Sequence, residues 1–147
     1  MTKATVRLDE GYQAVIQIRD HTLIADEPES DGGKNAGPTS KELLLAALGA
    51  CAAITVKMYA NRKGWPLEGV EIDLSTERHK ASAYPAYTGE GDFVHEFRQR
   101  IRFKGDLTAE QKERMLQIAG KCPVHRALDE PTVMIEQLVD AIIAKEI

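Results

Sequence analysis

The uncharged stretch from Leu43 to Val56 constrains the fold more than any other part of the chain. Thr39 can cap the start of a helix there, and Glu42 can return a hydrogen bond to the Thr39 amide, as in a capping box. Because the helix is apolar on every face, we expect it in an interior, and we expect it to be too short to span a bilayer. The sequence therefore predicts a long central buried helix that continues to about Lys63, with Gly64 as its left-handed cap.

The two cysteines of the chain are Cys51, inside this helix, and Cys122. A free cysteine commonly packs as a small hydrophobe in a core, so Cys51 by itself indicates no chemistry. Cys122 precedes Pro123, a residue that suits the first position of a helix. Because the dipole at a helix N-terminus favours thiolate, this position predicts that Cys122 is the more acidic thiol.

Two motifs resemble the OsmC/Ohr family of thiol-dependent peroxidases, over about Asp20 to Leu128. They are Gly37-Pro38-Thr39 leading into Glu42-Leu43-Leu44 and Ala-Leu-Gly-Ala-Cys51, and then Cys122-Pro123-Val124. The resemblance implies that Cys51 is the peroxidatic cysteine and that Cys122 resolves it. It also implies an OsmC-like fold in which two intertwined subunits of a homodimer build each active site.

The resemblance further implies an arginine beside the peroxidatic thiol. Cys51 lies about three turns inside its helix, where the dipole is weak, so a cation has to favour its thiolate. Arg19 is the candidate, with Arg7 as the alternative. Family members carry a glutamate ten positions before the cysteine, but Lys41 stands there in this chain and Glu42 stands nine before. Glu42 either takes over the catalytic role or only caps the helix, and this departure indicates a less characterised branch of the family.

The remaining elements follow from alternation and capping signals. We expect a three-stranded meander at Ala4 to Leu8, Tyr12 to Ile18 and His21 to Ala25, and two longer strands at Val70 to Leu74 and Phe93 to Phe103. An amphipathic helix should follow at Thr108 to Ala119, then a short helix at Pro123 to Leu128 and a terminal strand at 132–147. The terminal pattern also suits a helix, and the resemblance favours a strand that joins the sheet. The predicted fold class is α+β, an antiparallel sheet packed on the central helix, in a single domain over 1–147.

Composition and spacing argue against several function classes. A net charge of −4 in 147 residues is atypical of general nucleic-acid binding. Two distant cysteines and an N-terminus without an apolar run predict a cytoplasmic protein, neither secreted nor in a membrane. Cys122 and His125 have ligand spacing but no second ligand pair, so no metal or cofactor is expected. A Cys-His hydrolase using His79, His95 or His125 is formally open, although the sequence selects none of them.

The leading functional hypothesis is a dimeric peroxidase that reduces organic hydroperoxides, with hydrogen peroxide as a second candidate substrate. Its chemistry would pass through a Cys51 sulfenic acid and a Cys51–Cys122 disulfide, which a dithiol such as a lipoyl group or a thioredoxin-like protein reduces. The competing hypothesis is a non-enzymatic member of the same fold. It would bind an apolar ligand or sense redox state through the two thiols.

Overall fold

The computed structural model describes residues 2–142. Within them the elements in chain order are β1 (Thr5–Arg7), β2 (Ala14–Ile18), β3 (His21–Ala25), α1 (Ser40–Lys63), β4 (Gly69–Lys80), β5 (Phe93–Lys104), α2 (Ala109–Ala119) and α3 (Pro123–Asp129). Two compact units are present. Within the described residues the first unit contains 2–44 together with 133–142, and the second contains Leu45–Thr132.

The first unit is built on the antiparallel sheet β1-β2-β3. Val6 pairs with Ile16, and Ile16 pairs in turn with Leu23, so the predicted meander is confirmed. The β2-β3 turn contains Arg19, whose φ of 52° lies in the left-handed region. The Arg19 side chain is exposed, as expected of a tight turn between two short strands.

A loop organised by one buried carboxylate connects this sheet to α1. Asp26 accepts hydrogen bonds from the backbone amides of Glu27 at 2.9 Å, Lys34 at 3.0 Å and Ala36 at 3.0 Å. The bond from Ala36 is the main reason that the pKa of Asp26 lies below its usual value. Because these amides belong to residues up to ten positions away from Asp26, the carboxylate holds the loop in one shape before the helix begins.

Helix α1 begins and ends as its sequence predicts. The Glu42 amide donates to Thr39 Oγ1 at 3.3 Å, and Glu42 Oε2 accepts from the Thr39 amide at 2.7 Å. This reciprocal pair is the predicted capping box. At the other end Gly64 has a φ of 64°, and its amide donates to the Asn61 carbonyl at 3.1 Å.

One face of α1 lies in the core of the second unit, which confirms the expected interior position for that face. Four of its five buried residues recur every four positions, at Leu48, Ala52, Val56 and Ala60, and Gly49 is the fifth. Ile54 and Met58 face away from this stripe and are exposed in the single chain. The apolar surface of α1 therefore continues beyond the part that its own chain covers.

The full length of α1 corrects one expectation. With 24 residues and a mean hydropathy of 1.8 over 18 of them, α1 is long and apolar enough to cross a membrane by length and composition. Our prediction that it is too short considered only the uncharged run and left out the flanking turns. The core helix of a soluble protein passes the same test.

The β4-β5 hairpin supplies the second layer of this unit, in an antiparallel register that runs from Gly69 opposite Lys104 to Lys80 opposite Phe93. Its inner face packs on the α1 stripe through Val70, Ile72, Leu74, Phe97, Ile101 and Phe103. Its outer face carries exposed cross-strand ion pairs, among them one between Arg102 and Glu71 at 3.2 Å. Such exposed pairs contribute little stability, so apolar burial holds the hairpin in place.

Two shorter helices complete the second unit. Thr108 caps α2 in the predicted capping box, since Thr108 Oγ1 accepts from the Gln111 amide at 3.1 Å and Gln111 Oε1 accepts from the Thr108 amide at 3.0 Å. Met115 and Ala119 are the residues of α2 that are buried in the core. Helix α3 then begins at Pro123, immediately after Cys122.

The terminal strand predicted for 132–147 is wrong for residues 132–142, which form neither helix nor strand. The rest of that prediction lies outside the described residues. A strand needs a partner for its backbone groups, and in the described part of the chain none of the five strands pairs with this segment.

Candidate active site

The structure brings the two cysteines together in the core of the second unit. Cys122 belongs to the buried cluster and Cys51 packs against it from α1. The side chain of Cys51 is one of the groups that raise the pKa of the Cys122 thiol, so the two sulfur groups are neighbours. Both cysteines are free thiols. Two residues from distant parts of the sequence thus form one dithiol site.

Local structure explains how each thiol reaches this place. Cys51 precedes Ala52 of the buried stripe, so it lies at the edge of that stripe and remains half-buried. At the end of α2 the Cys122 amide donates to the Ala119 carbonyl at 3.3 Å, which folds the chain back toward the core. Pro123 then starts α3 without needing a hydrogen bond for its nitrogen. Cys122 is consequently 0% exposed, whereas Cys51 is partly accessible.

The surroundings of Cys122 correct the prediction that its place at a helix N-terminus favours the thiolate. Burial raises the pKa of the Cys122 thiol above its ordinary value. The His125 amide donates to Cys122 Sγ at 3.3 Å and acts in the opposite direction, but with a smaller effect. Helix α3 has only seven residues, and its N-terminal amides do not compensate for the loss of water around the sulfur. The net effect of these surroundings therefore disfavours the thiolate form of Cys122.

Glu42 is engaged at the start of α1. Besides the Thr39 amide, its Oε2 atom accepts a hydrogen bond from the Thr39 hydroxyl at 3.0 Å. The bond from the Thr39 amide is the largest cause of a lowered pKa of Glu42. This geometry supports the capping alternative for Glu42.

Arg19 occupies the exposed β2-β3 turn of the first unit, where its carbonyl accepts from Gln17 Nε2 at 2.6 Å. Its guanidinium forms no ion pair with any side chain within residues 2–142. The guanidinium is thus available to a partner, and its predicted action on Cys51 stays a prediction.

The histidines named in the sequence analysis take other positions. His79 Nε2 lies 3.4 Å from Glu77 Oε2, and His95 is exposed on β5. His125 contacts the dithiol site through its backbone amide, which donates a hydrogen bond to Cys122 Sγ. The sequence offered no signal for this contact, because it depends on the N-cap geometry of Cys122. Across residues 2–142 no group of three or more His, Cys, Asp or Glu side chains is arranged to hold a metal ion.

Comparison with protein families places this site in a known context. The model of the family described as OsmC-like protein matches residues 32–136, a span that includes both thiols. The chain belongs to the OsmC-like protein family. This finding confirms the family that the sequence motifs predicted. A comparison with curated protein sequences finds no match.

Solved structures share the OsmC-like fold. An OsmC-like protein from Mycoplasma pneumoniae has a TM-score of 0.72 at 17% identity, over 88% of each chain. An organic hydroperoxide resistance protein OsmC from Legionella pneumophila has a TM-score of 0.64 at 20% identity, over 88% of this chain and 90% of that one. The organic hydroperoxide resistance protein OhrB of Bacillus subtilis has a TM-score of 0.59 at 20% identity, over 86% and 89%. These likenesses confirm the predicted α+β fold with its antiparallel sheets and long helix.

Proposed function

We propose that this OsmC-like protein is a thiol peroxidase that reduces organic hydroperoxides. The observation that carries the proposal is the pairing of a partly accessible thiol, Cys51, with an enclosed neighbouring thiol, Cys122. A dithiol of this kind can receive an oxygen atom at one sulfur and release it as water on forming a disulfide. The names of the structurally similar Legionella and Bacillus proteins, which refer to organic hydroperoxide resistance, support the same substrate class.

The proposed reaction has three steps. The Cys51 thiolate attacks the terminal peroxide oxygen, the O–O bond breaks, and the departing alkoxide takes a proton to become an alcohol. Cys51 is thereby oxidised to a sulfenic acid. Cys122 then gives up its proton and attacks the Cys51 sulfur, which forms the disulfide and releases water. An external dithiol, such as a lipoyl group or a thioredoxin-like protein, reduces this disulfide and becomes oxidised itself.

Burial supports the two roles that we propose in this scheme. A resolving thiol with a low pKa would be a good leaving group when the disulfide is reduced. The pKa of Cys122 is raised, so acidity is not a reason to give Cys122 the resolving role. Cys122 is also fully enclosed, so a peroxide has no route to its sulfur in the folded chain. Cys51 is half-buried and is the thiol that a substrate can approach. Cys51 is therefore the attacking group and Cys122 the resolving group.

The test of this function is peroxide consumption by the purified protein. We expect repeated turnover of cumene hydroperoxide when dithiothreitol, a lipoyl compound or a thioredoxin-like protein is supplied. Without reductant, one equivalent per chain should be consumed, and the intact mass should fall by two hydrogens as the disulfide forms. A protein that binds cumene hydroperoxide without converting it, or whose thiols oxidise without turnover under every reductant, would favour the non-enzymatic alternative.

Arg19 is proposed to favour the thiolate form of Cys51. Arg19→Ala should slow alkylation of Cys51 by iodoacetamide at neutral pH by roughly tenfold, since a nearby cation typically shifts thiol ionisation by that much or more. Arg7→Ala is the matched control, because it removes the same charge from β1 of the same sheet. Both variants should match the wild type in denaturant. If Arg7→Ala slows alkylation and Arg19→Ala does not, Arg7 is the activating residue.

We also propose that residues 1–147 act as a single domain that assembles as a homodimer. The exposed apolar residues Ile54 and Met58 on α1 support assembly, because a second copy can bury them. The mechanism needs reduced dithiols, which the cytosol maintains, so we propose a cytoplasmic location.

A further inference from the structure

We propose that Cys51 and Cys122 together form a binding site for trivalent arsenicals that carry one carbon substituent, such as phenylarsine oxide. Each sulfur forms one bond to arsenic, so the arsenic atom bridges α1 and the start of α3. The inference depends on the dithiol site described above and does not require the proposed peroxidase reaction.

The number of sulfur atoms in the site selects this ligand class. Thiolates are soft donors that bind soft metals and metalloids. Structural zinc normally takes four ligands, and residues 2–142 contain no group of three or more His, Cys, Asp or Glu side chains arranged to hold a metal ion. A monosubstituted trivalent arsenic atom has one bond to carbon and two bonds left for sulfur. The two free cysteines of this chain can supply both of them.

The fold holds the two sulfurs close together before a ligand arrives. Cys51 is fixed within α1, and Cys122 is fixed as the N-cap of α3, where its Sγ accepts a hydrogen bond from the His125 amide at 3.3 Å. The Cys51 and Cys122 side chains lie near enough for a hydrogen bond between them. Since both residues are already ordered, bridging them costs less conformational entropy than bridging two mobile thiols.

The burial of Cys122 favours a bridged product without charge. Cys122 is fully enclosed among apolar side chains such as Ala52 and Met115, where a charged group is unfavourable. When phenylarsine oxide reacts, two S–As bonds form, and the two thiol protons leave with the arsenical oxygen as one water molecule. Arsenic stays trivalent, so nothing is oxidised or reduced. The product is neutral, whereas a copper(I) ion held by two thiolates would place a negative charge in the core.

The unequal exposure of the two thiols sets the order of bond formation. Cys51 is partly accessible, so the first S–As bond forms there. The enclosed Cys122 then closes the bridge from the core side. The carbon substituent remains on the open side of Cys51. A bridged chain has no free thiol at Cys51, and we therefore expect it not to react with peroxide.

Titration of the reduced protein with phenylarsine oxide tests the site. Intact mass should show one phenylarsenic group per chain in place of two hydrogens. Dimercaptopropanol should remove this group, whereas the monothiol glutathione should not, because only a dithiol can replace both S–As bonds. The melting temperature of the reduced protein should rise on binding, since the bridge requires the folded site. Protein oxidised beforehand to the Cys51–Cys122 disulfide should bind no arsenical.

Two matched variants and one denatured control test the bridge itself. Cys51→Ser and Cys122→Ser each leave a single thiol, so each should bind phenylarsine oxide roughly tenfold or more weakly in competition with dimercaptopropanol. Wild-type protein in guanidinium chloride keeps both thiols but not their proximity, and a similar loss is expected there. This third measurement does not depend on the folding of a variant.

The outcomes that would overturn the bridge are specific. They are the absence of an adduct, two arsenicals per chain, or wild-type affinity in either serine variant or in guanidinium chloride. Peroxide consumption by arsenical-free protein is measured separately. An arsenical bridge without peroxide turnover would leave this inference intact and count against the proposed function, and turnover without a bridge would do the reverse.

Discussion

Cys51→Ser is expected to abolish peroxide consumption, because a serine hydroxyl cannot accept the peroxide oxygen and the enclosed Cys122 cannot replace it. Cys122→Ser should behave differently. It should still consume about one equivalent per chain and then slow sharply, because the Cys51 sulfenic acid has no resolving thiol and proceeds toward sulfinic acid. Both rates can be read from peroxide loss, and the Cys51 product from intact mass.

The two serine variants control each other, since each removes one sulfur from the same site. Circular dichroism should match the wild type for both, because serine is close to cysteine in size. If Cys51→Ser retained a wild-type rate through Cys122, the roles would be reversed and the burial argument would fail. If both variants kept full turnover, neither thiol would carry the reaction.

Gly105→Ala is expected to lower the free energy of unfolding by roughly 3–5 kcal/mol, among the larger effects of a single substitution. Gly105 has a φ of 130°, which side chains rarely adopt, and a Cβ added there would lie 2.0 Å from the Pro66 carbonyl oxygen. Because that oxygen belongs to the backbone, the turn between β5 and α2 has to move. Urea unfolding followed by circular dichroism measures the loss.

Gly91→Ala separates backbone strain from the steric clash. Gly91 has nearly the same φ, 131°, but a Cβ there would meet its nearest atom at 4.0 Å. Only the conformational strain applies, so the expected loss is roughly 1–2 kcal/mol. Equal losses in Gly91→Ala and Gly105→Ala would show that the contact with Pro66 is not decisive.

The sequence predicts this fold best where the signals are local. The caps of α1 and α2 depend on a threonine followed three residues later by Glu42 or Gln111, and both form as expected. The meander β1-β2-β3 follows from short alternating runs separated by turns. In each case the residues that determine the structure are within a few positions of one another.

The electrostatics of the dithiol could not be predicted in the same way. The helix-terminus argument for Cys122 was local, whereas its pKa is set mainly by the core packed around it. The core around this sulfur contains residues of α1 and α2, such as Ala52 and Met115. Cys122 itself lies in the short segment that connects α2 to α3. The pattern of 132–142 was ambiguous for a related reason, because a strand there depends on a partner edge that the segment itself does not specify.

The enclosure of Cys122 has a kinetic consequence. Since Cys122 is enclosed and Cys51 is partly accessible, electrons in the proposed reaction would enter and leave the site through the Cys51 sulfur. In the proposed reaction the peroxide and the reducing dithiol would therefore react with Cys51 in turn, so we expect ping-pong kinetics in which the two substrates are never bound together. We therefore expect small thiols in the surrounding medium to leave the enclosed Cys122 sulfur unmodified.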